Sequence, residues 1–256
     1  MIFARPMDEN WGILMAYNNY INLEEASISK DIYRVIPVQR LLEMMQARKN
    51  VLAKPKKWDD PFENALLSSA MKLPDGIICS FAAKDSVYGQ CWTMHAETDA
   101  MWRIYSGDKA GVKIKTTISK LFDSLKNAKK EFWELRCFIG KVLYFPEKEL
   151  FQKFDEIEVM NSNGSGIAET LLYKRVEFEH EKEVRLIYSG VDNECHSDIL
   201  EYSIDPFDLI DEIVFDPRMP SVLVEAYKDR ILRLGFAKSV LQSSLYKTPR
   251  PFLKEL

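Results

Sequence analysis

The chain has 256 residues, 46% hydrophobic and 29% charged, with a formal net charge of −4 and a pI near 5.6. That composition excludes a disordered chain, and a chain of this length buries enough surface to fold without disulfide or metal staples. The mildly acidic balance gives no general attraction for nucleic acid or anionic membrane, and no apolar run approaches the ~20 residues needed to cross a bilayer.

Four cysteines, Cys79, Cys91, Cys137 and Cys195, stand at long, irregular spacings without a CxxC pair. This argues against a zinc ribbon or redox motif. Met1 to Glu9 holds no apolar core of a secretory signal, so a cytoplasmic location with free thiols is expected.

Residues 1–30 read as an N-terminal helical extension, with Trp11, Ile13, Leu14, Tyr17, Tyr20 and Ile21 near helical spacing. Asp31 to Ile36 reads as a strand, and Pro37 opens a helix with Val38, Leu41, Leu42 and Met45 on one stripe. Val51 to Ala53 continues extended. Lys54, Lys56 and Lys57 read as a solvated basic loop. In Trp58-Asp59-Asp60-Pro61-Phe62-Glu63, Asp60 precedes proline and is pushed from helical geometry. A helix over Phe62–Met71 and a strand over Gly76–Ala82 follow, and residues 83–96 read as irregular.

Thr98 or Asp99 caps a short helix to Tyr105, closed by Gly107. Gly111 to Lys115 alternates as a strand, and Thr117 caps a charged amphipathic helix to about Lys130. Phe132 to Phe145 reads as extended, broken at Gly140. Pro146 starts a helix through Phe154, residues 161–166 form a turn, and a helix runs from Ile167 to about Val176. Glu183–Tyr188, Ile199–Ile204 and Glu212–Phe215 read as strands. Pro220 opens a helix with Val224, Tyr227, Ile231 and Leu234 on one stripe. Gly235 closes it, and Ala237–Leu241 is a last strand. Helices interrupt the strands without a regular βαβ alternation. The expectation is an α+β fold over residues 31–256, a single domain with a mixed or largely antiparallel sheet flanked by helices.

Several segments, in order, resemble the bacterial and phage family called domain of unknown function 2971. They are Ile32-Tyr33-Arg34 with the later Asp59-Asp60-Pro61-Phe62-Glu63 turn, then Ile78-Cys79-Ser80-Phe81. Met101-Trp102-Arg103-Ile104-Tyr105 follows with Gly111-Val112, and last come Lys174 and Phe178-Glu179-His180-Glu181-Lys182-Glu183-Val184-Arg185. Phe178 stands where the family usually has Trp, and the Cys-Phe-Ser strand has its last two residues exchanged. The family name carries no established activity.

No GxGxxG, P-loop, HExxH or GxSxG motif is present, and His95, His180 and His196 are scattered. The densest chemistry lies at Glu181, Glu183 and Arg185, which an extended chain would place on one side. The pair reads either as a solvated strand start whose acids bond Arg185, or as two carboxylates presented at a cleft. The order Arg34, Ser80, Glu183 more distantly resembles the ADP-ribosyltransferase-like fold. That resemblance implies NAD as substrate, with Arg34 holding its pyrophosphate, Ser80 positioning the glutamate and Glu183 facing the developing cation. Glu181 would then serve the acceptor. Arg34 reads equally as paired to an acid such as Asp60, and Ser80 as a small strand residue. Trp102 and Tyr105, at i and i+3, suit either core packing or stacking on a ligand ring.

The resemblance implies a defence or toxin setting, a nucleotide-type ligand, and a protein or nucleic-acid acceptor. No membrane partner and no metal are expected, and the oligomeric state stays open. Two rivals stand beside it. One is a non-catalytic sensor or interaction module. The other is a metal-dependent nuclease using Asp59, Asp60, Glu181 and Glu183.

Overall fold

A computed structural model describes residues 19–72, 75–80, 82–191 and 195–249. The helical extension read over residues 1–30 lies largely outside them, and its described positions Tyr20 and Ile21 are a strand. The strands are β1 (Tyr20–Ile21), β2 (Asp31–Pro37), β3 (Lys49–Ala53), β4 (Ala70–Lys72), β5 (Ile78–Ser80), β6 (Val87–Thr93) and β7 (Gly111–Thr117). They continue as β8 (Cys137–Lys141), β9 (Leu143–Phe145), β10 (Tyr173–Arg175), β11 (Glu183–Ser189), β12 (Ile199–Ser203), β13 (Glu212–Phe215) and β14 (Ser239–Gln242). The helices are α1 (Val38–Ala47), α2 (Ala65–Ser68), α3 (Asp99–Tyr105), α4 (Ile118–Lys129) and α5 (Trp133–Arg136), then α6 (Glu147–Glu156), α7 (Ser165–Glu169), α8 (Pro206–Leu209) and α9 (Ser221–Arg233).

The local chemistry explains most boundaries. Pro37 ends β2 and opens α1, which stops where Arg48 turns left-handed at φ 52°. The Thr98 hydroxyl accepts from Met101 N at the start of α3, and Thr117 accepts from Lys120 N at the start of α4. Gly235 takes φ +101° just beyond α9, a conformation that costs other residues a Cβ clash.

Ten strands form one sheet, along the path β1-β8-β11-β6-β2-β7-β13-β14, with β3 and β12 branching off β6. Pairing is antiparallel except at β1–β8 and β13–β14, so the sheet is mixed and mostly antiparallel. One face buries Leu41 and Met45 of α1, Leu121, Phe122 and Leu125 of α4, and Val224 and Ile231 of α9. On the other face, Val87, Phe138 and Ile187 pack against Ala168, Leu171 and Leu172. The fold is therefore the expected α+β domain. Among the described residues no helix is long and apolar enough to cross a membrane.

The strand β6 departs most from expectation, because residues 83–96 read as irregular. Its Gln90 and Thr93 are polar yet buried. They find partners only in the fold, Gln90 on Val51 O and Thr93 on Glu181 O. The helix expected over Phe62–Met71 is a 3-10 turn, α2 and then β4. The one expected over Ile167–Val176 stops at Glu169 and becomes β10. In the stretch 132–145 the extended chain begins only at Cys137, and Val142 separates β8 from β9. Lys54, read as solvated, is buried and donates to Cys195 O at 2.8 Å, whereas Lys56 and Lys57 pair with Asp198.

Candidate active site

The site begins with a fork in the sheet. Along one edge, β6 meets β3 at Gly89↔Ala53 and β2 at Thr93↔Tyr33, and between those bridges it has no strand partner. The side chain of Gln90 fills part of the gap, donating to Val51 O at 2.8 Å and to Asn50 Oδ1 at 2.7 Å. The strands β2 and β3 diverge around α1, and a cleft of about 750 Å³ opens between them. A smaller recess of about 130 Å³ lies behind it, and Arg34, Cys91, Tyr105, Glu181 and Glu183 line both spaces.

At the base of the cleft sits a buried charge network. The ammonium of Lys174 lies 2.8 Å from Glu63 Oε1, 2.5 Å from Glu181 Oε2 and 2.7 Å from Glu183 Oε1. Arg185 completes it through Nε to Glu183 Oε2 at 2.6 Å and Nη2 to Glu63 Oε2 at 3.0 Å, and Nη1 donates to Leu171 O. All five side chains are almost wholly removed from solvent. Two aromatic rings cover the cations. Trp58 lies 4.6 Å from the Arg185 guanidinium and Phe178 lies 4.6 Å from the Lys174 ammonium. Gly89 makes room for Trp58, since a Cβ there would approach its ring to 2.6 Å.

Two carboxylates meet on one ammonium because the chain turns between them. Glu181 ends a 3-10 segment, Lys182 is left-handed at φ 42°, and Glu183 opens β11. Backbone bonds fix the turn: Thr93 Oγ1 donates to Glu181 O, and Glu183 N donates to the Tyr144 hydroxyl. The network holds one more acid than base, and burial penalises that excess. Burial is the main cause that pushes Glu181 up to about 7, followed by its hydrogen bond with Glu183 and that group's charge. Burial also pushes Glu183 up, but Arg185, the bond with Glu181 and Lys174 together hold it well below the carboxylate range. One carboxylate thus stays ionised while its neighbour titrates near neutrality.

Above the pair, Tyr105 donates from its hydroxyl to Glu181 Oε1 at 2.9 Å. Burial, then the Glu181 charge, raises its pKa, so it remains a donor. Arg34 projects from β2 into the same cleft, half-buried, and burial lowers its pKa. Among the described residues no acid or hydrogen-bond acceptor holds its guanidinium. Asp60, one partner read for it from sequence, instead bonds Arg175 at 3.0 Å and caps Phe62 N.

The structure therefore brings Arg34, Tyr105, Glu181 and Glu183 together. It does not bring Ser80, which is exposed on β5, pairs with Ala70 and lies outside the cleft lining. Trp102 is buried in the core against Val35 and Val214 and donates to Glu97. The idea of a part-solvated strand entrance is overturned, because Glu183 is 5% exposed and Glu181 6%. The three-acid loop from Trp58 to Glu63, which reads from sequence either as a turn or as the lining of a pocket, contributes Glu63 to the network, whereas Lys174 has no sequence signal beyond its place in a segment that carries the resemblance. Among the described residues no group of three or more His, Cys, Asp or Glu is arranged to hold a metal ion. Lys174 occupies the point between Glu181 and Glu183 where the nuclease reading would need a cation.

Residues 101–186 match the family model described as protein of unknown function, DUF2971. That DUF2971 segment carries Tyr105, Lys174, Glu181, Glu183 and Arg185, so most of the cleft base falls within it. No functionally curated protein matches the chain. Among solved structures, Thermus sp. 2.9 DarT in complex with NAD+ aligns with 13% identity and a TM-score of 0.38, covering 87% of this chain and 98% of that one. The same protein in complex with ADP-ribosylated ssDNA aligns with 12% identity and a TM-score of 0.40, covering 87% and 96%.

Proposed function

We propose that this protein is an ADP-ribosyltransferase-like enzyme that consumes NAD. The observation that carries the reading is the Arg34 guanidinium, without an acidic partner among the described residues, in one cleft with the Glu181–Glu183 pair. An anion-seeking fork beside buried carboxylates suits a substrate that is anionic at its pyrophosphate and turns cationic at its ribose during reaction. A cleft of about 750 Å³ is also of the size that holds an extended small molecule.

In this reading Arg34 grips the pyrophosphate. Glu183, held ionised by Arg185 and Lys174, faces the positive charge that grows on the ribose as the glycosidic bond breaks and nicotinamide leaves with the bonding electrons. Glu181, titrating near 7, takes the proton of the acceptor as its nucleophilic atom bonds to the ribose carbon. The acceptor is a protein or nucleic-acid group, or water in its absence. The defence or toxin setting belongs to the same proposal and rests on the sequence resemblance.

The test is incubation of the purified chain with labelled NAD, alone and with total cell lysate, scoring nicotinamide release and transfer of label. Release that depends on Glu183 supports the enzyme. A chain that binds nucleotide without releasing nicotinamide is a binding module.

A further inference from the structure

Outside the cleft, a second charge cluster, built on the buried Asp216 and the part-exposed Arg218, grips the helix that carries Tyr105. Asp216, wholly buried beyond β13, accepts from Ser106 Oγ at 2.6 Å and from Arg218 Nη2 at 2.7 Å. Arg218 Nη2 also donates to the carbonyls of Trp102 and Ser106, both at 2.8 Å. Ser106 Oγ accepts from Gly111 N, which ties the same point to β7. Burial pushes Asp216 up, but the hydrogen bonds from Arg218 and Ser106 outweigh it and keep the carboxylate ionised.

The helix α3 is seven residues long, and Tyr105 is its last residue. A helix that short is marginal on its own, and its last turn leaves carbonyls without intrahelical donors. Arg218 adds a side-chain donor to the carbonyls of Trp102 and Ser106, which also accept from Ser106 N and Lys109 N, and so braces the end of the helix and places a positive charge where the helix dipole favours one. The Tyr105 hydroxyl can hold Glu181 only if that final turn is fixed.

We infer that Arg218 and Asp216 are positioning residues that set the hydrogen bond between Tyr105 and Glu181. The inference rests on reading Tyr105 and Glu181 as part of the active site, but its test does not require turnover. Besides Tyr105, the groups that face the Glu181 carboxylate are Lys174 and Glu183, with Glu63 and Arg185 behind them. None of these contacts Arg218 or Asp216, so the part of any Glu181 shift in an Arg218 variant that disappears in the Tyr105→Phe background travels through α3, whereas the direct effect of the lost charge adds to the Tyr105→Phe shift.

The experiment follows the Glu181 carboxyl by carbon-13 NMR across pH in the parent, Tyr105→Phe, Arg218→Gln and the double variant. A hydroxyl donor favours the ionised form, so Tyr105→Phe raises the Glu181 midpoint by on the order of one pH unit. Arg218→Gln raises it in the same direction, and the double variant goes no higher than Tyr105→Phe alone. An Arg218→Gln protein that melts early but titrates at the parent midpoint overturns the inference, as does a shift that adds to that of Tyr105→Phe. A Tyr105→Phe protein that titrates like the parent also overturns it, because there is then nothing to position. Nicotinamide release, scored in parallel, tests the enzyme reading separately; its absence from the parent leaves the titration result intact.

Discussion

The hydroxyl of Tyr105 donates to Glu181 at 2.9 Å across 76 positions of the chain. That bond joins the end of α3 to the turn before β11, and so joins two sides of the forked sheet. It also fills one of the sites through which Glu181 could reach a ligand. A ligand hydroxyl or acceptor group entering the cleft competes with a phenol that is itself held from behind, and the site is pre-organised in that sense.

Lys174→Met tests how far the network depends on its central cation. The change removes the ammonium that three buried carboxylates share. Leaving buried charge uncompensated costs on the order of 3–5 kcal/mol. For a chain of this size that lowers the melting temperature by roughly 6–20 °C. The deficit shrinks at acidic pH, where the stranded acids take up protons. Thermal melts at pH 5 and pH 8 check both statements. Parent-like melting at both would mean that Lys174 is not the hub the distances describe.

Much of the frame around this network is legible in the sequence, and the reason is local. Pro37, Thr98, Thr117 and Gly235 act within a few residues of where they stand, so the elements they bound are found where expected. Glu183 and Arg185 were readable as a pair because two residues of strand place them on one side. The strand β6 was not readable, because Gly89 and Gln90 make sense only beside Trp58 and Val51. Glu63 and Lys174 join the site through tertiary approach alone. Trp102 and Tyr105 share a helix, yet the fold sends one to the core and the other to the cleft, which their spacing could not separate.

The opposed shifts of the acid pair predict a pH dependence of stability. Glu181 is raised from 4.5 to about 7, so between those values the folded chain keeps a proton that the unfolded chain has lost. Its contribution is complete below pH 4.5 and is lost as pH rises through 7, with a slope of up to about 1.4 kcal/mol per pH unit. Glu183 is lowered, so it stabilises above pH 4.5, and that contribution fades as pH falls further. Melting curves of the parent and Glu181→Gln between pH 4.5 and 8 isolate the first effect. The parent should lose ground against the variant up to about pH 7 and hold level beyond it. A constant difference would show that Glu181 titrates as an ordinary carboxylate.

Arg34→Lys separates anion binding from packing. No described acid holds Arg34, so stability should change by only about 0.5 kcal/mol. The lysine keeps the charge but not the two-pronged donor geometry. Losing a charge-assisted bond costs about 1.5–3 kcal/mol, which lowers NAD affinity on the order of 10- to 100-fold. Titration calorimetry with NAD and a melting curve read the two effects apart. A variant that melts early and binds normally would make Arg34 a structural residue.

Glu183→Gln and Glu181→Gln together bear most directly on function, and the burial of both residues changes what each can show. Glu183 accepts from Lys174 and Arg185, with almost no solvent to replace it. Its amide variant leaves two buried cations short of an anion, at a cost of roughly 3–5 kcal/mol. Lost turnover in that variant therefore has meaning only well below its melting temperature, with folded protein verified. Under those conditions the missing charge opposite the developing cation should slow nicotinamide release by ~100- to 1000-fold. Glu181 is the cleaner probe. Its neutral form is already favoured up to about pH 7, so an amide there disturbs the network less. Its loss should impair transfer to an acceptor more than NAD hydrolysis, because the role proposed for it is toward the acceptor. The parent transfer rate should also rise with pH through about 7 as Glu181 ionises, and that rise should vanish in Glu181→Gln. A transfer rate that keeps its pH dependence in the variant would take Glu181 out of the proton step, while leaving Glu183 opposite the ribose.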